Sequence, residues 1–346
     1  MHARTSRGMT DLIIFLMIVA AVSAILMLGG VAEVVIISLL LAYILDPLAN
    51  ALERAGLSRT LATVAIFLAF VFILVLVGAF LIPALLGQVQ ALQSGSASEQ
   101  AIRSIERLQE TLAQKLRPIG VGELNLPQMI QEFRGYVSQK AIDFLLQDSL
   151  SLIVKIVMIP FVMFFLLKEG REMKKVLIGL VPNRYFEFSL DLLYKMDLQL
   201  GNYLRGQFID ALVFGVLATV ALWILGVKYF LFIGIFAGLA NLIPFVGPIA
   251  GMLLGAVAAV LETGDVMEGV WVVVAFVGLK LIDDFVVQPL AVGKSVDLHP
   301  MLVALAILTG GHLFGILGML LAVPVAGFLK VVLMESIVTY RKYRFT

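Results

Sequence analysis

The residues able to do chemistry in this chain gather in one stretch, KLIDDFVVQPLAVGKSVDLHP, from Lys280 to Pro300. Lys280, Asp283, Asp284, Gln288, Lys294, Asp297 and His299 stand there between two apolar runs. Asp283 and Asp284 close one of those runs. Ionisable side chains at membrane depth are costly and mark ion or solute pathways; at the interface the same residues are ordinary solvated loop groups. A carboxylate that alternates between a proton and a cation is the chemistry such a pair offers. Neighbouring helical positions point about 100° apart, so the two are badly placed to share a proton with each other. Asp284 and Gln288 lie four apart and share a helix face, as do Lys280 and Asp284. A local ion pair is therefore the structural alternative for both.

A second unusual stretch is NLIPFVGPIAG, from Asn241 to Gly251, inside a long apolar run. Pro244 and Pro248 each remove an amide donor and clash with the preceding turn. With Gly247 between them, the spacing predicts a break rather than a bend. In lipid, each freed backbone group would cost several kcal/mol, so such a break belongs where protein or a watery cavity satisfies it. Two readings follow: a tight turn or kink between two short helices, or a re-entrant hairpin whose tip lines a transport path. Asn241 adds a side-chain amide beside the break. In YLRGQF, Tyr203 to Phe208, Gln207 could line a cavity, while Arg205 could snorkel to phosphate head groups.

These residues are set among elements that composition identifies as membrane helices. The chain has 346 residues, 61% hydrophobic and 14% charged, against about half apolar and a quarter charged in a soluble domain. The fold class expected is all-α: a polytopic integral membrane protein. Apolar runs of about 20 residues mark spans, expected at 12–28, 31–45, 60–86, 150–167, 209–225, 270–281, 301–309 and 313–334. The broken region 229–261 adds either a hairpin or two more crossings. The run 301–309 rises only about 15 Å, and Gly310-Gly311 is expected to end it. Gly311, Gly315 and Gly318 recur at about one-turn spacing beyond it, a pattern that lets helices approach closely. Packing is the expected role of Gly310, Gly311, Gly315 and Gly318, and Pro324 weakens that helix further on.

Two segments are not membrane-like. In the first, Ile102, Ile105, Leu108, Leu112 and Leu116 form an apolar stripe opposite Arg103, Glu106, Arg107 and Glu110, an amphipathic helix. The second, 168–207, opens with KEGREMKK. The organisation expected is four parts: amino-terminal spans over 1–86, an external amphipathic insert serving oligomerisation over 87–149, the fourth span with a cytoplasmic amphipathic segment over 150–208, and a transport core with broken helices over 209–346. Arg4 and Arg7, Lys168 to Lys175, and Arg341 to Arg344 place both ends and the second amphipathic segment in the cytoplasm by the positive-inside rule. Glu262, Asp265 and Glu268 place their loop outside. Both ends inside requires an even number of crossings, eight with a hairpin at 229–261 and ten without. A cytoplasmic (inner) membrane location follows.

Net charge is +1, so no nucleic-acid partner is indicated. The chain has no cysteine and only three histidines in separate contexts, so no metal site is expected. No P-loop, HExxH or nucleophile motif is present, and an enzyme is disfavoured.

YLRGQ at Tyr203, GLANLIPFVGPIAG at Gly238 and DDFVVQPLAVGKSVDLHPMLVALAILTGGHLFGILGMLLAVP from Asp283 to Pro324 resemble the autoinducer-2 exporter family, with the segment order agreeing over essentially the whole chain. The resemblance implies about eight spanning helices, a homo-oligomer (a pentamer), and export of a small solute such as the quorum-sensing signal autoinducer-2. Some members are instead sodium or lithium/proton antiporters. Asp284 stands where asparagine is the commoner family residue, an extra carboxylate that favours cation or proton coupling.

The leading expectation is thus a secondary, ATP-independent exporter of a small polar solute with no organic cofactor. Its path would use Asn241, Pro244, Gly247, Pro248, Asp283, Asp284, Gln288, Arg205 and Gln207. The alternative is a Na+(Li+)/H+ antiporter using Asp283 or Asp284. An oligomeric membrane scaffold ranks last, because broken helices and intramembrane carboxylates serve no purpose in one.

Overall fold

A bilayer offers no water to backbone amides, so apolar runs of this length close their hydrogen bonds internally as helices. Every regular element among the described residues is helical. The computed structural model describes residues 30–93, 149–183, 186–263, 265–293 and 298–344. The first span at 12–28, most of the amphipathic insert, and Lys294 and Asp297 fall outside them.

The helices are α1 Gly30–Arg54, α2 Arg59–Gln93, α3 Ser149–Gly179, α4 Phe186–Ile224, α5 Phe230–Ala240, α6 Val246–Thr263 and α7 Val266–Ile282. A π-helical turn at Asp283–Val287 follows, then the short α8 Gln288–Ala291 and the long α9 Pro300–Arg344. Stretches of α1, α2, α4 and α9 are long and apolar enough to cross a membrane. The molecule is a multi-pass membrane protein. The fifth span and residues 186–207 of the second amphipathic segment share one continuous helix, α4, of 39 residues, while the opening of that segment belongs to α3.

The chain divides into two contact units, Met1–Val71 with Ser151–Val176 and Phe72–Leu150 with Leu177–Thr346. In the first, Ala42, Ala49, Ile66, Met163 and Leu167 form a buried apolar cluster, and Phe67 meets Phe164 edge to face. Arg59 fixes one end of this bundle. Its guanidinium donates to Asp46 at 2.7 Å and to Asn50 at 2.8 Å, and Nε and Nη2 both donate to the Leu167 carbonyl at 2.9 and 2.6 Å. Lys155 pairs with Glu33 near the other end.

In the second unit, α4, α5, α6 and α7 surround a core of Phe214, Ala218, Leu222, Ile233, Ala237, Val272 and Phe276. Small residues bring the backbones together. A Cβ on Gly238 would stand 2.7 Å from Gly215 Cα, so α4 and α5 cross almost in backbone contact. The α5–α6 pair is the broken stretch: two helices of 11 and 18 residues joined by a turn. α5 rises about 16 Å, half of the roughly 30 Å hydrocarbon thickness.

In the second glycine-rich stretch the break lies elsewhere than the sequence suggests. Helix α9 continues through Gly310 and Gly311 and breaks at Phe314–Gly315, with Gly315 at φ 60°, ψ −143°. That conformation is essentially reserved to glycine. The arms 300–313 and 316–344 fold back on each other, and a Cβ on either Gly310 or Gly318 would collide with the other's carbonyl oxygen. Gly311 packs beside Met319, and Pro324 is buried. Close backbone crossing, not helix termination, is what Gly310 and Gly318 provide.

Candidate functional site

The α4–α5 crossing at Gly215 and Gly238 dictates what the next turn meets. Asn241, at the C-terminus of α5, is 1% exposed, and Asp210 on α4 is 0% exposed. Asn241 Nδ2 donates to Asp210 Oδ2 at 3.0 Å. Gln207, one turn earlier on α4, donates from Nε2 to the Asn241 carbonyl at 2.7 Å. The carbonyl freed by the broken helix is therefore satisfied by a side chain of the neighbouring helix, as burial in an apolar medium requires.

The turn itself is stitched by short-range bonds, from Leu242 N–H to the Leu239 carbonyl and from Val246 N–H to the Ile243 carbonyl. Pro244 lies in this turn. Pro248 lies in the first turn of α6, where its missing amide would have had no partner within the helix. Gly247 lets the two arms close, since a Cβ there would stand 2.5 Å from the Ala237 carbonyl oxygen and 2.6 Å from Asn241 Cβ. Phe245, at the tip, holds φ 71°, a left-handed conformation unusual for a bulky residue.

On the other side of the site, α7 ends at Ile282 and the chain enters the π-helical turn. The backbone N–H of Gln288 bonds to the Asp283 carbonyl, five residues back. That wider turn aligns positions i and i+5, so Gln288 Nε2 reaches Asp283 Oδ2 at 3.2 Å rather than Asp284. The expectation that Gln288 shares a face with Asp284 fails here because ordinary α-helical spacing does not hold. Lys280 Nζ bridges both acids, at 2.8 Å from Asp283 Oδ2 and 2.8 Å from Asp284 Oδ1. It also lies 5.3 Å from the centre of the Phe245 ring, a cation–π contact. Asp283 is 1% exposed, whereas Asp284 is exposed.

The two buried carboxyls, Asp210 and Asp283, are neighbours where α4 packs against the π-helical turn. Their Oδ1 atoms are the only buried side-chain polar atoms without a hydrogen-bond partner among the described residues. Of the residues marked by the sequence, Gln207, Asn241, Asp283 and Gln288 thus converge on one cluster, with Pro244, Gly247 and Pro248 framing it and Asp284 at its rim. Asp210 was not anticipated. The available signal was a lone carboxylate just inside an apolar run, four residues past Gly206 on the same face. Beside the cluster, Asn202, Arg205, Gly206 and Ile209 of α4 and Leu290 to Gly293 line an open surface cavity of about 340 Å³. The Arg205 guanidinium folds back over Gly201. The Gly310 to Pro324 features belong to α9, which packs on α4.

Buried carboxyls at a broken-helix tip, among helices long and apolar enough to cross a membrane, define a multi-pass membrane protein rather than a soluble module. The chain belongs to the AI-2E transporter family, whose model matches residues 12–337. It is similar to two Bacillus subtilis proteins named as candidate transport proteins. To YrrI it is 37% identical, the match covering 51% of this chain and 50% of that one. To YueF it is 26% identical over 84% of this chain and 80% of that one. It is also 23% identical to the candidate permease PerM of Escherichia coli K12, over 92% of this chain and 91% of PerM. The YrrI match therefore spans half of each chain, and the YueF and PerM matches span most of theirs.

Proposed function

We propose that the protein is an ion-coupled secondary transporter exporting a small polar solute, of the class represented by autoinducer-2, across the cytoplasmic membrane. The observation that carries this is the buried Asp210–Asp283 carboxyl pair where the α5–α6 turn meets the π-helical turn. Such a pair is costly in a membrane interior, and no other role for it is evident in packing. The solute path runs past the hairpin tip, with the α5–α6 hairpin re-entrant and the cavity beside Arg205 at one end of the path. Both termini lie in the cytoplasm, and the protein works as a homo-oligomer, a pentamer by the family resemblance.

Na+(Li+)/H+ antiport is the second reading, favoured by the same carboxylates together with the extra acid, Asp284. Purified protein in liposomes with an internal pH dye tests both. A solute flux that follows an imposed pH gradient, and is lost in Asp210→Asn and Asp283→Asn, supports coupled export. A sodium-driven internal pH change lost in the same variants supports antiport. Wild-type protein that is folded and inserted, yet moves neither solute nor ions, refutes both.

A further inference from the structure

We infer that Asp210 and Asp283 form a proton-binding pair that shares a single proton and rejects sodium and lithium. This deepens the transporter reading by naming its coupling ion. The first argument is hydrogen-bond accounting. Buried polar atoms are nearly always partnered, yet among the described residues the two that are not, Asp210 Oδ1 and Asp283 Oδ1, belong to neighbouring carboxyls where α4 packs on the π-helical turn. With both acids ionised, two like charges stand close together in a dry site. A proton on either carboxyl removes that repulsion and supplies a donor that the orphan acceptors lack.

The second argument is the character of the surroundings. A hard cation asks for a shell of about six oxygens. The groups turned on this pair are donors instead: Asn241 Nδ2 on Asp210, and Lys280 Nζ and Gln288 Nε2 on Asp283. Turning either amide over would set its oxygen against a carboxylate oxygen, so the donor orientation is the one that satisfies the site. No cluster of three or more metal-ligating side chains exists among the described residues.

The third argument is charge. Lys280 already occupies the place a second cation would take, bridging Asp283 and Asp284. The charged and titratable groups around the pair are then Tyr203 on α4, Lys280 on α7, and Asp284 on the π-helical turn. Lys280 neutralises one acid, a shared proton neutralises another, and Asp284 is left at the exposed rim, where water can hold its charge. On release the proton leaves the carboxyl pair, and no other bond is made or broken.

The test is infrared difference spectroscopy of the full-length protein in lipid nanodiscs, titrated with pH in potassium and in sodium buffer. The expected result is a protonated-carboxyl C=O band, absent in Asp210→Asn and in Asp283→Asn, kept in Asp284→Asn, and titrating identically in the two salts. Should an Asn variant fail to fold, Asp210→Glu and Asp283→Glu replace it, and each is expected to shift the band. No such band, a band untouched by changes at either residue, or a band that sodium removes at constant pH would each overturn the inference. None of these outcomes depends on transport, so a failed flux assay and a failed proton pair remain separable.

Discussion

Asn241→Ala is the sharpest test of the geometry. Its amide donates to Asp210 Oδ2 at 3.0 Å while its own backbone carbonyl accepts from Gln207. The substitution keeps the second bond and deletes the first. A hydrogen bond to a charged group contributes about 1.5–3 kcal/mol, and an acceptor left buried without its donor costs a similar amount. Asn241 is 1% exposed, so water does not replace the lost donor, and the small void adds to the loss. The expected destabilisation is about 2–4 kcal/mol. The assay is unfolding by SDS in mixed micelles, run as a double-mutant cycle with Asp210→Ala. Once Asp210 is gone, losing the Asn241 amide removes packing alone, so the cycle should return a coupling of about 1.5–3 kcal/mol. A coupling below about 0.5 kcal/mol, the scatter expected of independent sites, would mean that Asn241 does not hold Asp210 and that the cluster is misread.

Other substitutions probe the supporting contacts in the same assay. Gly206→Ala should cost about 1–3 kcal/mol, because its Cβ would stand 2.5 Å from the Ala291 carbonyl oxygen and 2.7 Å from Val292 Cα, backbone atoms that cannot rotate aside. Gly278→Ala, with nothing within 4 Å of its Cβ, should instead stabilise by about 0.5–1 kcal/mol through the usual helix preference. Gly315→Ala should cost about 1–3 kcal/mol, since φ 60°, ψ −143° is closed to a residue with a Cβ. Arg59→Met should cost about 1–2 kcal/mol by removing both donors from the Leu167 carbonyl; Asp46, 38% exposed and still bonded by Asn50, adds little. Arg171→Met, whose side chain is 57% exposed beside Glu53, should cost less than about 1 kcal/mol.

The residues that could be read ahead of the structure are those whose local chemistry is enough to reveal them. Single prolines at 47, 83 and 160 lie inside continuous helices, but Pro244 and Pro248 with Gly247 between them weaken one turn together, and the break lies there. The apolar runs dictate helices because lipid leaves the backbone no alternative. Asp210 escaped notice because a single acid near the start of an apolar run looks like an interfacial residue. Only the Gly215–Gly238 crossing, a contact between distant segments, shows it to be fully buried. The α9 break moved from Gly310-Gly311 to Gly315 for a related reason. All of these glycines are locally permissive, and the closure of one arm on the other at Gly310 and Gly318 selects which of them bends.

The two acids at 283 and 284 show how little decides such a site. They are chemically identical neighbours, yet one is 1% exposed and the other is exposed. Lys280 bonds both at 2.8 Å, so the lysine does not distinguish them. The π-helical turn does. By bonding Gln288 N–H five residues back, to the Asp283 carbonyl, it places the Gln288 amide on Asp283, whose own position simply continues α7. Ordinary α-helical pairing would have set Gln288 over Asp284, four residues back. A π-bulge is a local strain that folds keep mainly at functional positions. Here its effect is specific: it gives the Gln288 amide to the buried carboxylate and not to its exposed neighbour.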